Sequence, residues 1–263
     1  MITFPDVQEG EALPVSATLY VTYRSCPQQA LGRLQGIYPP DSIPSFRGSL
    51  AHRVFARHLT SGPISDERFS QACREEIGAP DGHLNMKLAS LELNRPSNLA
   101  RVVAEVGDLY TRFSRFPTDG FRAAEVSLEV EVAKGVTLRG RVDAIFEDGT
   151  GAPVIIDWKT GARLDDAETQ LDFYAMMWAL AHDEMPARAE AVSVQTGERV
   201  GIQPSCERAR ETARSVASMV EALRTAFRTG EGLERVAGPH CRWCPLLDEC
   251  VEGRAAVEVL SAG

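Results

Sequence analysis

Residues 136–146 and 154–159 alternate apolar with polar side chains and flank Glu147-Asp148-Gly149-Thr150-Gly151, a segment of turn-forming residues. Two such runs around such a turn constrain the chain to a β-hairpin. Along the second run Val154, Ile156 and Trp158 share one face, while Asp157 and Lys159 project from the other. The first run carries Val136, Leu138, Gly140 and Val142 and leads to Asp143. The hairpin therefore brings Asp143 and Asp157 together. Two bare carboxylates about 4 Å apart repel by roughly 4 kcal/mol at an effective dielectric near 20. A divalent cation between them turns that repulsion into binding, so the pair asks for a metal.

Lys159 adds a water-orienting cation beside the carboxylates. Of the 28 basic residues only Lys87, Lys134 and Lys159 are lysines. Arginine is a planar, always-charged fork, whereas lysine is a compact point charge with a tunable pKa. A chain that otherwise writes positive charge as arginine keeps lysine at this spot.

Of the six cysteines, three form Cys241-x2-Cys244-x5-Cys250, preceded by His240. The spacing is too tight for a set of disulfides and suits thiolates converging on a metal centre. Cys26, followed by Pro27, is the expected fourth ligand, with His240 as its competitor. Cys73 and Cys206 fall in expected helices and read as small buried hydrophobes. Four thiolates fit zinc or an iron–sulfur cluster, and spacing alone does not choose.

Helical elements are expected at Ser16–Leu34, 46–59, 66–77, 83–93 and 97–116, followed by strands at 123–133, 136–146 and 154–159. A helix over 166–182, a hairpin over 190–203 and a helix over 205–229 complete the pattern. His52 falls in the second helix, in Gly48-Ser49-Leu50-Ala51-His52, and Gln170 and Tyr174 share one face of the 166–182 helix. The stretch between 66 and 116 carries no motif and reads as a structural insertion.

Taken together, these residues resemble the RecB-like branch of the PD-(D/E)xK nuclease superfamily in its iron–sulfur form, which includes the AddB nuclease module and CRISPR-associated adaptation nucleases. The resemblance runs from Cys26 to Cys250. It implies an α/β fold with a restriction-endonuclease-like core, a mixed sheet flanked by helices, behind an N-terminal helical region and closed by a C-terminal iron–sulfur staple. One domain, 1–263, would comprise a helical region (1–116), a catalytic core (117–204) and a C-terminal helix with the cysteine triplet (205–263). Asp143, Asp157 and Lys159 match the catalytic signature, and Gln170 with Tyr174 matches the Gln-x3-Tyr of the following helix. Gly48 and His52 match Gly-x3-His, whose histidine ligates metal. Glu125 resembles the acid that opens the core sheet, though Glu129 and Glu131 stand in the same strand. Val142 occupies the place of the proline in the superfamily's name.

The resemblance implies a deoxyribonuclease in which His52, Asp143, Asp157 and the Trp158 carbonyl hold Mg²⁺ or Mn²⁺. Cys26, Cys241, Cys244 and Cys250 would hold a 4Fe–4S cluster, with zinc as the alternative. The expected activity is single-strand exonucleolytic cleavage of the repair or recombination type, alone or with a helicase. The alternatives are protospacer trimming beside a CRISPR integrase, or a non-catalytic DNA-end-binding adaptor. Cys26 lies 215 residues before Cys241, so closing that loop rather than a six-residue one costs roughly 3 kcal/mol more. The cluster is therefore expected to be architectural.

At 263 residues and 44% hydrophobic, the chain is long enough to bury a substantial core. The first residues lack a signal pattern and no run is apolar enough to span a membrane, so a cytoplasmic protein is expected. The net charge of −9 is unusual for a DNA-binding protein, but binding depends on local fields. Between Ser16 and His58 stand five arginines and one acid, Asp41. That stretch is either a solvated helix face or a phosphate-contacting groove, with Arg24, Arg47 and Arg53 as the candidate DNA contacts.

Overall fold

Chain order in the computed structural model, which describes residues 2–80 and 83–262, begins with β1 (Leu13–Ser16), α1 (Ala17–Ser25) and α2 (Pro27–Leu34). Three further helices follow, α3 (Ile43–Ser61), α4 (Asp66–Gly78) and α5 (Pro96–Phe113). Next come β2 (Phe121–Ala133), β3 (Val136–Glu147), β4 (Pro153–Lys159), α6 (Ala167–His182), β5 (Arg188–Ser193) and β6 (Arg199–Ile202). The chain closes with α7 (Cys206–Thr229) and α8 (Val251–Ala262).

The hairpin forms where the sequence placed it. Asp148 Oδ1 accepts from the main-chain N–H of Thr150 (2.8 Å) and of Ala152 (3.1 Å), closing the turn through its own side chain. β3 and β4 then pair antiparallel from Glu147↔Pro153 to Ala144↔Ile156. β5 runs parallel to β4, and β6 antiparallel to β5. β2 covers one edge of β3 along nearly its whole length. β1 and β4 therefore share the other edge: β1 pairs with residues 136–139 and β4 with residues 144–147. Among the described residues, 140–143 have no strand partner on that edge. The sheet parts there, and the cleft described below opens at the gap.

Helices cover both faces of this six-stranded mixed sheet. On one face α1, α2, α6 and α7 pack on Val15, Leu138, Val142, Ile155 and Ala191. On the other, α3, α4 and α5 pack on Ala144, Val154, Ile156, Trp158 and Val192. Here Phe113 stacks on Phe55 (centroids 4.1 Å apart) and meets Trp158 edge-on at 5.1 Å. Each such pair adds about 0.5–1.5 kcal/mol beyond its area and anchors the end of β4 from below. Residues 66–113, expected as a structural insertion, therefore form with α3 one of the two layers that clamp the sheet.

Three local expectations change. The helix expected over Ser16–Leu34 breaks at Cys26, whose backbone is extended (φ −159°), because Pro27 lacks an N–H and pushes the residue before it out of helical space. Residues 83–93 form turns around a short 3₁₀ segment, Asn85–Lys87, with His83 and Glu92 at positive φ. Leu84 and Leu93 are nonetheless buried. Cys206, expected inside, is exposed, whereas Cys73 is buried. No helix of the described residues is long and apolar enough to cross a membrane.

Candidate active site

A row of three carboxylates crosses the sheet at the parting of β1 and β4. Val126 pairs with Val142 and Ala124 with Ala144, so Glu125 stands against Asp143. Continuing the β3–β4 ladder one step past Ala144↔Ile156 sets Asp143 against Asp157. Opposed residues of this kind are the closest side-chain neighbours in a sheet. The pleat changes phase here: Val142 and Ile145 face one core and Ala144 the other. Glu125 sits at φ 52°, a left-handed conformation rare for a residue with a side chain and concentrated at functional sites. Its carboxylate meets Arg141 Nε at 2.7 Å.

α3 delivers His52. Ser42 caps the helix, its Oγ accepting from Ser45 N at 3.3 Å, and Phe46, Leu50, Val54 and Phe55 bury one face. Gly48 lets that face approach the end of β4, since a Cβ at Gly48 would lie 3.2 Å from Thr160 Oγ1. His52 Nδ1 then comes within 3.1 Å of Asp143 Oδ1, while Asp143 Oδ2 accepts from the Trp158 N–H at 2.7 Å. His52, Glu125 and Asp143 each place one ligand atom within 4.8 Å of the others. Asp157 stands just outside this trio.

Asp157 anchors a second group. The residue is 4% exposed, and its Oδ2 lies 2.8 Å from Lys159 Nζ. That approach pairs the charges, but its angle leaves Oδ2 without an aligned hydrogen-bond donor. Lys159 Nζ donates instead to Gln170 Oε1, and Gln170 Nε2 donates to the Tyr174 hydroxyl at 3.0 Å. The helical spacing of Gln170 and Tyr174 thus serves to brace Lys159. Gly140 makes room for α6 over the site, because a Cβ there would sit 3.1 Å from Met177 Sδ and 3.2 Å from Tyr174 Cε1.

The electrostatics follow from burial. Desolvation, and then the charge of Asp143, push the Asp157 carboxyl up to about 6 against the opposing pull of Lys159. Desolvation likewise raises Glu125 and raises Tyr174. Burial, the largest single influence, would lower His52, but the carboxylates of Asp143, Asp157 and Glu125 together outweigh it and hold the imidazole above its ordinary value. Buried carboxylates that hold protons too tightly, one oxygen lacking a donor, and a neighbouring His-Glu-Asp trio suit a hard divalent cation. His52, Glu125, Asp143 and Asp157 are the side chains able to hold it.

His52, Asp143 and Asp157, with Lys159, Gln170 and Tyr174, line an open cleft of about 500 Å³, and Glu125 lies off its lining. Its arginines are Arg139, Arg141 and Arg163. Arg24, Arg47 and Arg53 do not line it. Arg47 pairs with Glu105 (2.8 Å) and Arg53 with Glu76 (3.1 Å), while Arg24 reaches Ser215 Oγ at 3.4 Å. The basic run of the N-terminal helices is thus largely neutralised by acids of α4 and α5. Besides Lys159, the cleft's cations come from β3 and the loop after β4, where no run of basic residues marks them, and they too have acidic partners, Glu129, Glu125 and Asp165.

The four candidate cysteine ligands also converge. Cys26 and Cys241 are buried, and Cys244 and Cys250 are partly so. Burial raises the Cys244 thiol, and Cys26, Cys241 and Cys250 raise it further. Main-chain N–H groups point at two of the sulfurs, Gly238 N at Cys241 Sγ (3.4 Å) and Gly253 N at Cys250 Sγ (3.3 Å). Gln28, two residues beyond Cys26, ties α2 to the same region: its N–H donates to Glu234 O (3.0 Å) and its Oε1 accepts from Leu233 N (2.6 Å). His240 Nε2 instead faces Val236 O at 3.1 Å. Among the described residues, the only metal-type trio with ligand atoms mutually within 4.8 Å is that of His52.

Comparison with known proteins agrees with this geometry. The PD-(D/E)XK nuclease superfamily profile matches residues 14–251. The fold is similar to the crystal structure of a protein named "Putative exonuclease" from Eubacterium rectale, at a TM-score of 0.53 and 15% identity, covering 89% of this chain and 86% of that one. The crystal structure of SSO0001 aligns over 94% of this chain and 88% of its own, at a TM-score of 0.42 and 14% identity. No curated protein sequence matches the chain significantly. With most of its length matched and the Asp–Asp–Lys set gathered at one cleft, the chain belongs to the PD-(D/E)XK nuclease superfamily.

Proposed function

We propose that the protein is a Mg²⁺- or Mn²⁺-dependent deoxyribonuclease acting on single strands from a free end. The observation that carries this reading is buried Asp157 beside Lys159, set one step from the His52–Glu125–Asp143 trio. His52, Glu125, Asp143 and Asp157, with the Trp158 carbonyl, would hold the cation. When bound there, the cation lowers the pKa of water and offsets charge on the phosphoryl group. Lys159, braced by Gln170 and Tyr174, orients the attacking water and neutralises charge developing in the transition state. Arg139, Arg141 and Arg163 hold the flanking phosphates at the cleft rim. Asp143, fixed by the Trp158 N–H, keeps the two carboxylates in register.

Cys26, Cys241, Cys244 and Cys250 are proposed to hold an iron–sulfur cluster. The convergence of the thiols and the N–H groups aimed at two sulfurs support it. It would staple α2 to the C-terminal segment. Protein purified without oxygen should be brown and bleach on reduction, whereas colourless protein with stoichiometric zinc would replace the cluster by zinc.

The activity test uses purified protein with Mn²⁺ or Mg²⁺ on a linear single strand and on a covalently closed circle of the same sequence. The linear strand should be degraded, the circle should survive, and a chelator should stop the reaction. Equal cleavage of the circle would make the enzyme an open-cleft endonuclease.

A further inference from the structure

A second concavity, of about 760 Å³, lies beside the cleft, between the approach to β1, the end of α2 and the last turns of α7. The two hollows adjoin. Ser16 and Arg139, paired across the β1–β3 ladder, line both. Tyr38 and Phe227 line the second hollow, 60% and 51% exposed, an unusual position for large aromatic rings. The Arg33 guanidinium lies 5.8 Å from the Tyr38 ring centre.

The charges here divide into those with structural partners and those without. Arg224 is tied to the main-chain carbonyls of Gln8, Glu11 and Gly135. Glu9 pairs with Lys134 at 2.8 Å, and Glu221 accepts from the Gln8 N–H. Arg33 and Arg228 make no ion pair among the described residues, and Arg139 makes only an exposed one with Glu129. What faces the hollow is two exposed rings with the guanidinium groups of Arg33, Arg139 and Arg228 beside them, together with the Glu11 carboxylate, which makes no ion pair among the described residues.

That combination has one well-matched occupant. Exposed rings stack on bases without reading their identity, and arginines between them meet the backbone of a single strand. The volume lies in the roughly 300–1,000 Å³ range of sites that enclose a small-molecule-sized ligand, the scale of about two nucleotides and too small for a duplex. We infer that this hollow holds the unpaired DNA segment adjoining the scissile phosphate, with bases on Tyr38 and Phe227 and phosphates on Arg33, Arg139 and Arg228. The inference rests on reading the cleft as a DNA-cleaving site.

The test separates the hollow from the cleft. Fluorescently labelled oligo-dT is titrated in chelator, where nothing is cut, and hydrolysis of bis(p-nitrophenyl) phosphate with Mn²⁺ reports the cleft alone. Tyr38→Ala and Phe227→Ala should each weaken oligo-dT binding roughly tenfold while leaving small-diester hydrolysis at the parental rate. Tyr38→Phe should restore binding, because it keeps the ring. Arg228→Ala should lower the dependence of log K on log salt by about 0.7. Both rings are exposed, so melting temperatures should not move. Unchanged oligo-dT binding in both alanine variants, or no binding by the parent, would overturn the inference. If the alanine variants weaken binding but the parent cuts neither substrate, the hollow stands and the nuclease reading of the cleft falls.

Discussion

Asp157→Asn should stabilise the metal-free protein while destroying its activity. Burial and Asp143 raise the Asp157 carboxyl from 3.8 to about 6. A shift of that size represents on the order of 3 kcal/mol of unfavourable ionisation in the folded state. The sign follows from linkage. A carboxyl with a raised folded pKa favours the fold fully below its unfolded value, and that contribution is lost as pH rises through about 6. At pH 7.5 the metal-free parent therefore carries most of the penalty, and asparagine removes it without changing the side chain's shape. Loss of the Lys159 contact offsets part of the gain, because Lys159 keeps Gln170 and is partly exposed to water. A net gain of about 1–2 kcal/mol corresponds to roughly 2–8 °C in melting temperature for a chain of this size. Thermal melts in chelator at pH 5 and pH 7.5 measure it: the variant should melt higher at pH 7.5, and the gap should narrow at pH 5. Mn²⁺ should raise the parent's melting temperature much more than the variant's. A variant less stable than the parent at pH 7.5, or a gap indifferent to pH, would refute the picture of a buried carboxylate waiting for a cation.

Gln170→Ala should reduce cleavage by roughly 10- to 100-fold with little change in substrate binding, because it frees Lys159 without removing its charge; single-turnover assays at saturating DNA check this. Gly140→Val should destabilise the fold by about 1–3 kcal/mol and depress activity together, since its side chain collides with Met177 and Tyr174; chemical denaturation and cleavage rates read both. His58, buried with Nδ1 2.9 Å from the Tyr110 hydroxyl, has its pKa lowered by burial, so the α3–α5 layer should lose stability as pH falls below the ordinary histidine value toward that lowered one. Hydrogen exchange at pH 7.5 and 5.5 should show α3 and α5 opening more readily at the lower pH in the parent than in His58→Gln.

Features carried by local patterns were legible in the sequence. The alternation on either side of residues 147–151 places Asp143 against Asp157, and the same parity sends Trp158 into the core and Lys159 into the cleft. The break at Cys26 was missed, although Pro27 dictates it locally. Other features depend on partners remote in sequence. β1 is four residues long and becomes a strand only because β3 offers an edge. Glu125 looks like Glu129 and Glu131 until the ladder sets it opposite Asp143 at positive φ. Arg47 and Arg53 read as a basic face because Glu105 and Glu76, which neutralise them, come from other helices. Arg139, Arg141 and Arg163 belong to no basic run, so only the fold identifies them as the cleft's cations. The α8 helix carries little apolar periodicity, and three of its apolar residues, Val251, Val259 and Leu260, remain exposed.

The central claim is that Asp157 and Lys159 perform the chemistry at a divalent cation. It is tested most directly by single-turnover cleavage of a linear single strand in Mn²⁺, comparing the parent with Asp157→Ala and Lys159→Ala, each shown by circular dichroism to be folded. Rapid, chelator-sensitive cleavage is expected of the parent and at least a thousandfold loss of each variant, with oligo-dT binding retained. A folded variant that cuts within a few fold of the parent would contradict it.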